Sequence, residues 1–412
     1  MNKLKGWAKV SLIGILILCG LVFGLVIGEI GLRIAGIEYK VFNTIDEHRG
    51  WTDRPGDSGW YRLEGESYIQ INSEGFRDRE HTKAKPENTL RIALLGDSFV
   101  AAYEVPLEEG FAAVIERELS GCKSLSGQKV EVIKFGTRAY GTDQELITLR
   151  EKVWAYSPDI VILAFYTGND VVNNSQALYN KALSYNLYKN IVSQKPYFIF
   201  KDGHLVLDTS FLNTDAYRSR QSWWGKVYES LLQNSRLLQV FRHAKYALAE
   251  LLIQPPTMQE TTTTKVGATG FMLENEIYKQ PTDSTWLEAW QVTEELIKSM
   301  HNDVIAKEAD FMVVTLSNDI QVHPDRSLRQ KFMENLRITD FFYPDLRIKL
   351  LGDQSGFAVL NLAQTFQDYA QKNQVPLHGF NNDLPWGGHW NAQGHQLAGK
   401  MIAQKLCQQQ EL

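Results

Sequence analysis

Cysteine is scarce in this chain. There are three among 412 residues, and no Cys/His cluster has metal-ligand spacing, so no metal or cofactor is implied. A surplus of one charge is missing too. The net charge is -5 and no basic stripe appears, which speaks against nucleic-acid binding. Charge is absent altogether from one stretch, the apolar run Val10 to Ile27, which follows Lys3, Lys5 and Lys9. It is just long enough to cross a bilayer as a helix. The lysines then stay in the cytoplasm and everything after the run lies outside. A cleaved signal peptide is the rival reading. The run is long for an h-region, and no clear Ala-x-Ala site follows before Glu29 and Arg33, so an uncleaved signal anchor is favoured. Gly20, Gly24 and Gly28 recur every fourth residue, a spacing that lets two membrane helices approach and form a homodimer. Cys19 lies in the run. Cys122 and Cys407 face a space where a disulfide is allowed. Two free thiols are the reading the sequence favours.

What is present divides the chain into three parts. Residues 1–34 form a cytoplasmic tip and transmembrane anchor. Residues 35–89 form a polar leader, in which Tyr68–Asn72 alternates like a strand and Ser73–Phe76 reads as a turn. It is either a tether or a flap beside the following domain. Residues 90–412 alternate strand and helix, the signature of a parallel sheet with right-handed crossovers. The apolar runs 90–95, 130–135, 159–165, 309–316 and 357–360 are its five strands. The alternation breaks at about 172–282, which reads as an insertion with a hairpin at 195–207, helices at 230–252 and a polar low-complexity stretch from Gln259 to Gly270. Trp223 and Trp224 belong either to the insertion's core or to a substrate groove.

The first strand ends in Gly96-Asp97-Ser98, the second in Gly136-Thr-Arg-Ala139-Tyr-Gly141, the third in Gly168-Asn169-Asp170, and His389 precedes the last helix. Open α/β sheets bind ligands at the carboxyl ends of their strands. A serine there becomes a nucleophile when a base takes its proton, and neutral His is suited to that near pH 7. Backbone N–H groups of Gly-rich turns or an Asn side chain can meet the oxyanion. Asp97 and Asp170 read as turn stabilisers, His395 as a surface or packing residue of the last helix, and His378, His323 and His204 as loop residues without a partner pattern.

These blocks resemble those of the SGNH (GDSL-type) hydrolases, serine esterases and acyl hydrolases, and more narrowly their membrane-anchored members. Gly96-Asp97-Ser98 looks like the first block, Gly168-Asn169-Asp170 like the third, and His389-Trp-Asn-x-x-Gly-His395 like the last. The resemblance covers 90–170 and 309 to the end. It implies a flavodoxin-like three-layer α/β/α fold with a five-stranded parallel sheet, Ser98 as nucleophile and His389 as base. Asn169 and the Ser98 N–H would be oxyanion donors. Two positions depart from the pattern. Ala139 stands where the family's second block has Gly, though its N–H can still donate. Trp386 stands where an orienting Asp three residues before the base belongs. Asp383, six before His389, is the substitute candidate, and a Ser-His dyad held by a backbone carbonyl is the alternative. The expectation is an extracytoplasmic, membrane-anchored ester hydrolase acting on O-acyl groups of a surface glycan or lipid, with no cofactor. Acyl transfer between glycans uses the same residues. A non-catalytic scaffold or glycan-binding module on the same fold draws its support from the missing Asp.

Overall fold

The computed structural model describes residues 2–184, 194–252, 274–382 and 386–409. The Gln259–Gly270 stretch and Asp383 lie outside the described residues. The chain divides into two compact units. One comprises Met1–Val41 and Ser219–Thr257, the other Phe42–Arg218 and Met258–Leu412.

The first unit holds three helices: α1 (Asn2–Ile34), α5 (Trp223–Asn234) and α6 (Arg236–Leu252). Ser11–Ile34 of α1 is long and apolar enough to cross a membrane, with a mean hydropathy of 2.7. Ser222 caps α5 by accepting from Gly225 N at 3.1 Å. A Cβ at Gly28 would lie 3.4 Å from Leu237 of α6, so one glycine of the small-residue row already packs within the chain. Trp223 and Trp224 are exposed, which removes them from any insertion core.

The second unit is a three-layer α/β/α fold. Its sheet contains β5 (Thr89–Gly96), β6 (Lys129–Gly136), β7 (Ile160–Tyr166), β10 (Asp310–Leu316) and β11 (Ala358–Asn361). All pairs are parallel, in the order β11-β10-β7-β5-β6. That is the flavodoxin-like order, in which the connection reverses direction between β5 and β7. Side chains alternate between two cores. Ala93, Leu95, Val161 and Leu163 face one, under α4 (Thr142–Glu151), α7 (Ser284–Ile305) and α8 (Tyr343–Ser355). Ile92, Leu94, Ile160 and Ile162 face the other, under α3 (Phe111–Leu119), α9 (Ala363–Asn373) and α10 (Ala392–Gln409). Every residue of β7 is buried, as a strand covered on both faces must be.

The leader is not loose chain. It forms two antiparallel hairpins, β1 (Asn43–Asp46) with β2 (Gly50–Asp53) and β3 (Ser58–Tyr61) with β4 (Ser67–Gln70). Phe42, Tyr61, Ile69 and Ile71 share a small core with Ala101 and Tyr103. The buried Arg77 guanidinium donates to the carbonyls of Ala101 and Val105 and to Ser67 Oγ. The insertion hairpin is present as β8 (Tyr197–Lys201) and β9 (His204–Asp208).

Cys122 and Cys407 are bridged, with Cα atoms 5.9 Å apart. This corrects the expectation of two free thiols. Helices α3 and α10 pack so closely that a Cβ at Gly399 would lie 2.4 Å from Val114, and this contact brings the end of α10 to the turn after α3. Cys19 is the free cysteine. Thiol titration of the denatured, unreduced protein should therefore find one reactive thiol, rising to three after reduction; three before reduction would refute the bridge. Replacing Cys122 and Cys407 together by Ala should lower stability by roughly 2–4 kcal/mol in a denaturant titration.

Candidate active site

β5 ends at Gly96, and α2 (Ser98–Ala101) starts at once. Asp97 caps it, its Oδ1 accepting from Phe99 N at 2.9 Å. This tight strand-to-helix turn needs two glycines. Gly96 pairs in register with Gly136 of β6, and Val100 lies over both. A Cβ at Gly96 would sit 2.4 Å from Val100 Cγ2, and one at Gly136 2.5 Å from its Cβ. Ser98 is thereby fixed at the carboxyl end of the sheet.

His389 comes from the loop before α10. Its Nε2 lies 2.8 Å from Ser98 Oγ, the distance at which the hydroxyl donates to a neutral imidazole. The loop is braced from below. His378 Nδ1 donates to Gly388 O at 2.6 Å, and Ser317 Oγ bridges His378 Nε2 and the Trp390 indole N–H. Burial holds His378 neutral, its pKa lowered to about 4. His378 is thus a structural support, a role the sequence did not suggest. His395 is buried, stacked on Phe111, and accepts from Phe111 N.

The other side of the His389 ring holds the residue the sequence reading missed. Glu64, at the tip of the β3–β4 hairpin, accepts from His389 Nδ1 at 2.6 Å through Oε2 and from His389 N at 2.6 Å through Oε1. Trp386, at the expected acid position, is exposed beside the His323 ring. Asp383 lies outside the described residues, and the ring nitrogen proposed for it is taken by Glu64. The approach of Glu64 depends on Gly388, which has φ +81°; a Cβ there would lie 2.3 Å from Glu64 Oε1. Asn382 clamps the hairpin tip, accepting from Gly65 N at 2.9 Å and donating to Gly65 O at 2.7 Å.

A second carboxylate stands behind the first. Glu104 is buried, and Oε1 is 3.7 Å from His389 Nδ1. Among the described residues neither Glu104 oxygen has a hydrogen bond. Burial pushes its pKa up, with the His389 charge opposing. For Glu64 the balance is reversed: burial is outweighed by the His389 charge and hydrogen bonds, with Arg138 adding to them, and its carboxyl is held below the ordinary range. For His389 burial favours the neutral ring, but the charges of Glu104 and Glu64 and the Glu64 hydrogen bond win, and its pKa rises to about 9. Arg138 opposes that rise. The three groups interact closely enough to titrate together.

The remaining predicted residues gather around the same strand ends. Asn169 follows β7 and donates from Nδ2 to Asp97 Oδ2 at 2.9 Å, which leaves its second N–H available. Gly168 lies in the turn after β7, and Gly141 caps α4. Asp170 is buried and accepts from Tyr166 N at 2.8 Å, and burial, with the charges of Glu145 and Asp97 adding, pushes its pKa well up. Ala139 lies in the loop after β6 with φ +63°, the left-handed backbone that glycine adopts freely. Trp51 Nε1 donates to Arg138 O, and Asn173 Nδ2 to the carbonyls of Ala139 and Tyr140, so the loop is held on both sides. Glu64, Glu104 and His389 also place donor atoms close enough together to ligate a cation. The direct Glu64–His389 hydrogen bond already occupies that space.

No protein-family model matches the chain, and neither does any curated protein. Among solved structures the chain is similar to an acetyl xylan esterase, at 13% identity and a TM-score of 0.36, covering 76% of this chain and 98% of that one. It is similar to a lipase/acylhydrolase from Enterococcus faecalis, at 12% identity and a TM-score of 0.34, covering 77% and 96%. A catalytic mutant of an acetylxylan esterase from Geobacillus stearothermophilus matches at 10% identity and a TM-score of 0.37, covering 77% and 93%. At such values the chemistry has to be read from the side chains themselves.

An imidazole must be neutral to take a proton. With its pKa raised to about 9, His389 becomes a base as pH rises, so kcat/KM for an ester should climb with pH and bend near 9. Glu104→Gln removes one of the two charges without touching the Glu64 hydrogen bond. It should move that bend to lower pH while keeping most of the limiting rate. An unmoved bend would show that Glu104 does not act on His389. The stability term runs the opposite way: the imidazolium's partners favour folding fully below its ordinary 6.5, and that contribution is lost as pH rises through about 9. Glu64→Gln should lower kcat by up to about 10⁴-fold, the loss seen when a triad's orienting carboxylate becomes an amide.

Proposed function

We propose that the protein is a serine hydrolase of carboxylic esters, anchored in a membrane by α1 with the second unit on the extracytoplasmic side. The observation that carries this reading is the continuous relay from Ser98 Oγ through His389 to Glu64, with contacts of 2.8 and 2.6 Å. Ser98 Oγ attacks the acyl carbon as His389 Nε2 takes its proton. Glu64 holds Nδ1–H and offsets the charge of the imidazolium. Negative charge on the former carbonyl oxygen meets the N–H groups of Ser98 and Ala139 and the free N–H of Asn169. His389 returns the proton to the departing alcohol, leaving acyl-Ser98, and then activates the water that releases the acid.

The substrate class inferred from the address is an O-acyl ester on a surface glycan or lipid. Delivery of the acyl group to a second sugar hydroxyl instead of water would use the same atoms. The non-catalytic reading rested on the missing Asp at 386, and Glu64 supplies a carboxylate at the same ring nitrogen by another route.

Incubation with a fluorophosphonate should label the wild-type protein, and Ser98→Ala should abolish labelling. Ester turnover in that variant should fall by a factor on the order of 10⁶. Failure of the wild type to react, under conditions where a control esterase is labelled, would refute the proposal.

A further inference from the structure

The first unit carries more apolar surface than its N-terminal helix explains. In α5, Trp224, Tyr228 and Leu231 fall at helical spacing on one face, and all are exposed, Trp224 at 71%. In α6, Phe241, Ala244 and Leu248 form a second exposed stripe, with Phe241 at 63%. Trp223 adds to the first, its ring 4.2 Å from that of Trp224. Large aromatics left in water at this density mark an interaction surface.

The depth of this hairpin is set by α1. A bilayer core takes about 20 helical residues. Counted from Ser11, that length ends near Glu29. Glu29 is where α6 begins: its carboxylate accepts from Arg236 N and Leu237 N, both at 3.0 Å, and from Ser235 Oγ at 3.1 Å. Arg33 donates to Glu29 at 2.8 Å and to Asn234 O. The turn between α5 and α6 is thereby tied to the level at which α1 leaves the hydrocarbon. Tyr39 stacks on His243 at 3.9 Å, fastening α6 a second time beyond the end of α1.

We infer that α5 and α6 lie on the bilayer surface, with the Trp223–Leu231 and Phe241–Leu248 stripes set among the lipid headgroups. The occupant of this face is the membrane in which α1 sits. Trp and Tyr favour that zone because their rings are apolar and their N–H or O–H remains solvated. The charges of α5 and α6 agree: Lys226, Arg242 and Lys245, with Arg236 paired to Glu38, outnumber Glu229 and Glu250, which suits anionic headgroups. The helices act as a collar that holds the emerging chain at the surface. The inference rests on α1 spanning the membrane, and the test separates the two.

The full chain is reconstituted in phosphatidylcholine/phosphatidylglycerol vesicles with an environment-sensitive fluorophore on one cysteine at a time. Native Cys19 reports α1. Trp224→Cys and Phe241→Cys, each in a Cys19→Ser background, report the collar. Spin-labelled lipids quench according to depth. Cys19 should lose most emission to lipids labelled near the chain end. Positions 224 and 241 should lose most to lipids labelled near the headgroup, and should be shielded from aqueous iodide. Quenching of 224 and 241 by iodide alone, with Cys19 still deep, overturns the collar and leaves the anchor standing. Shielding from iodide that grows with protein-to-lipid ratio, without any lipid quenching, assigns the face to a second copy and also overturns it. A Cys19 label untouched by either lipid overturns both readings.

Discussion

A carboxylate that arrives from outside the α/β core holds the imidazole on which the site depends. Glu64 binds His389 twice, at the ring Nδ1 and at the backbone N–H, so one side chain fixes both the tautomer and the position of the loop that carries the ring. An ionised acceptor at 2.6 Å makes these the strong kind of hydrogen bond. The bond also makes the site conditional on long-range folding. β5, β7 and α10 supply Ser98, Asn169 and His389, but the hydrogen-bond partner at His389 Nδ1 comes from the leader. The leader's grip on the core, through Arg77 and the Phe42–Tyr103 cluster, therefore also holds Glu64 at His389.

Two carboxylates beside one imidazole would trap it as the cation if both were fully ionised. Their surroundings keep them different. Glu64 is saturated with donors from His389, whereas Glu104 is buried with no hydrogen bond to either oxygen among the described residues. Donors to an anion stabilise it, and burial without donors favours the neutral acid. The Glu64 carboxyl is thus held below the ordinary range and that of Glu104 above it. Both charges raise the His389 pKa, but only Glu64 also orients the ring.

The flavodoxin-like form of the sheet was implied by the resemblance of its blocks, but the sheet itself was legible in the sequence because buried parallel strands are short unbroken apolar runs. Ser98, Asn169 and His389 were legible for the same reason: each stands where a run ends or a final helix starts, so local spacing reports its place. Glu64 has no such local signal. It sits 325 residues from His389 at the tip of a hairpin, and nothing near it in sequence marks it as a partner. The available hints were negative ones, Trp386 where an acid belongs and a glycine at 388 with no evident turn to make. Near the histidine in sequence the acid candidate is Asp383, with a Ser-His dyad as the alternative, but a base needs its partner near in space only. The disulfide was misjudged on similar grounds, since the contact between α3 and α10 that unites Cys122 with Cys407 is tertiary.

The departure at Ala139 fits the same scheme. A left-handed backbone costs a residue with a Cβ on the order of 1–2 kcal/mol relative to glycine, so the loop after β6 would relax unless something held it. Trp51 of the leader grips the Arg138 carbonyl, the Tyr140 hydroxyl returns a bond to Trp51 O at 2.6 Å, and Asn173 closes the other side. The leader therefore reaches the strand ends at two points. Its second hairpin places a carboxylate on His389, and its first steadies the loop that carries Ala139. One segment laid across the strand ends thus supplies both the carboxylate at His389 and a brace for the loop after β6.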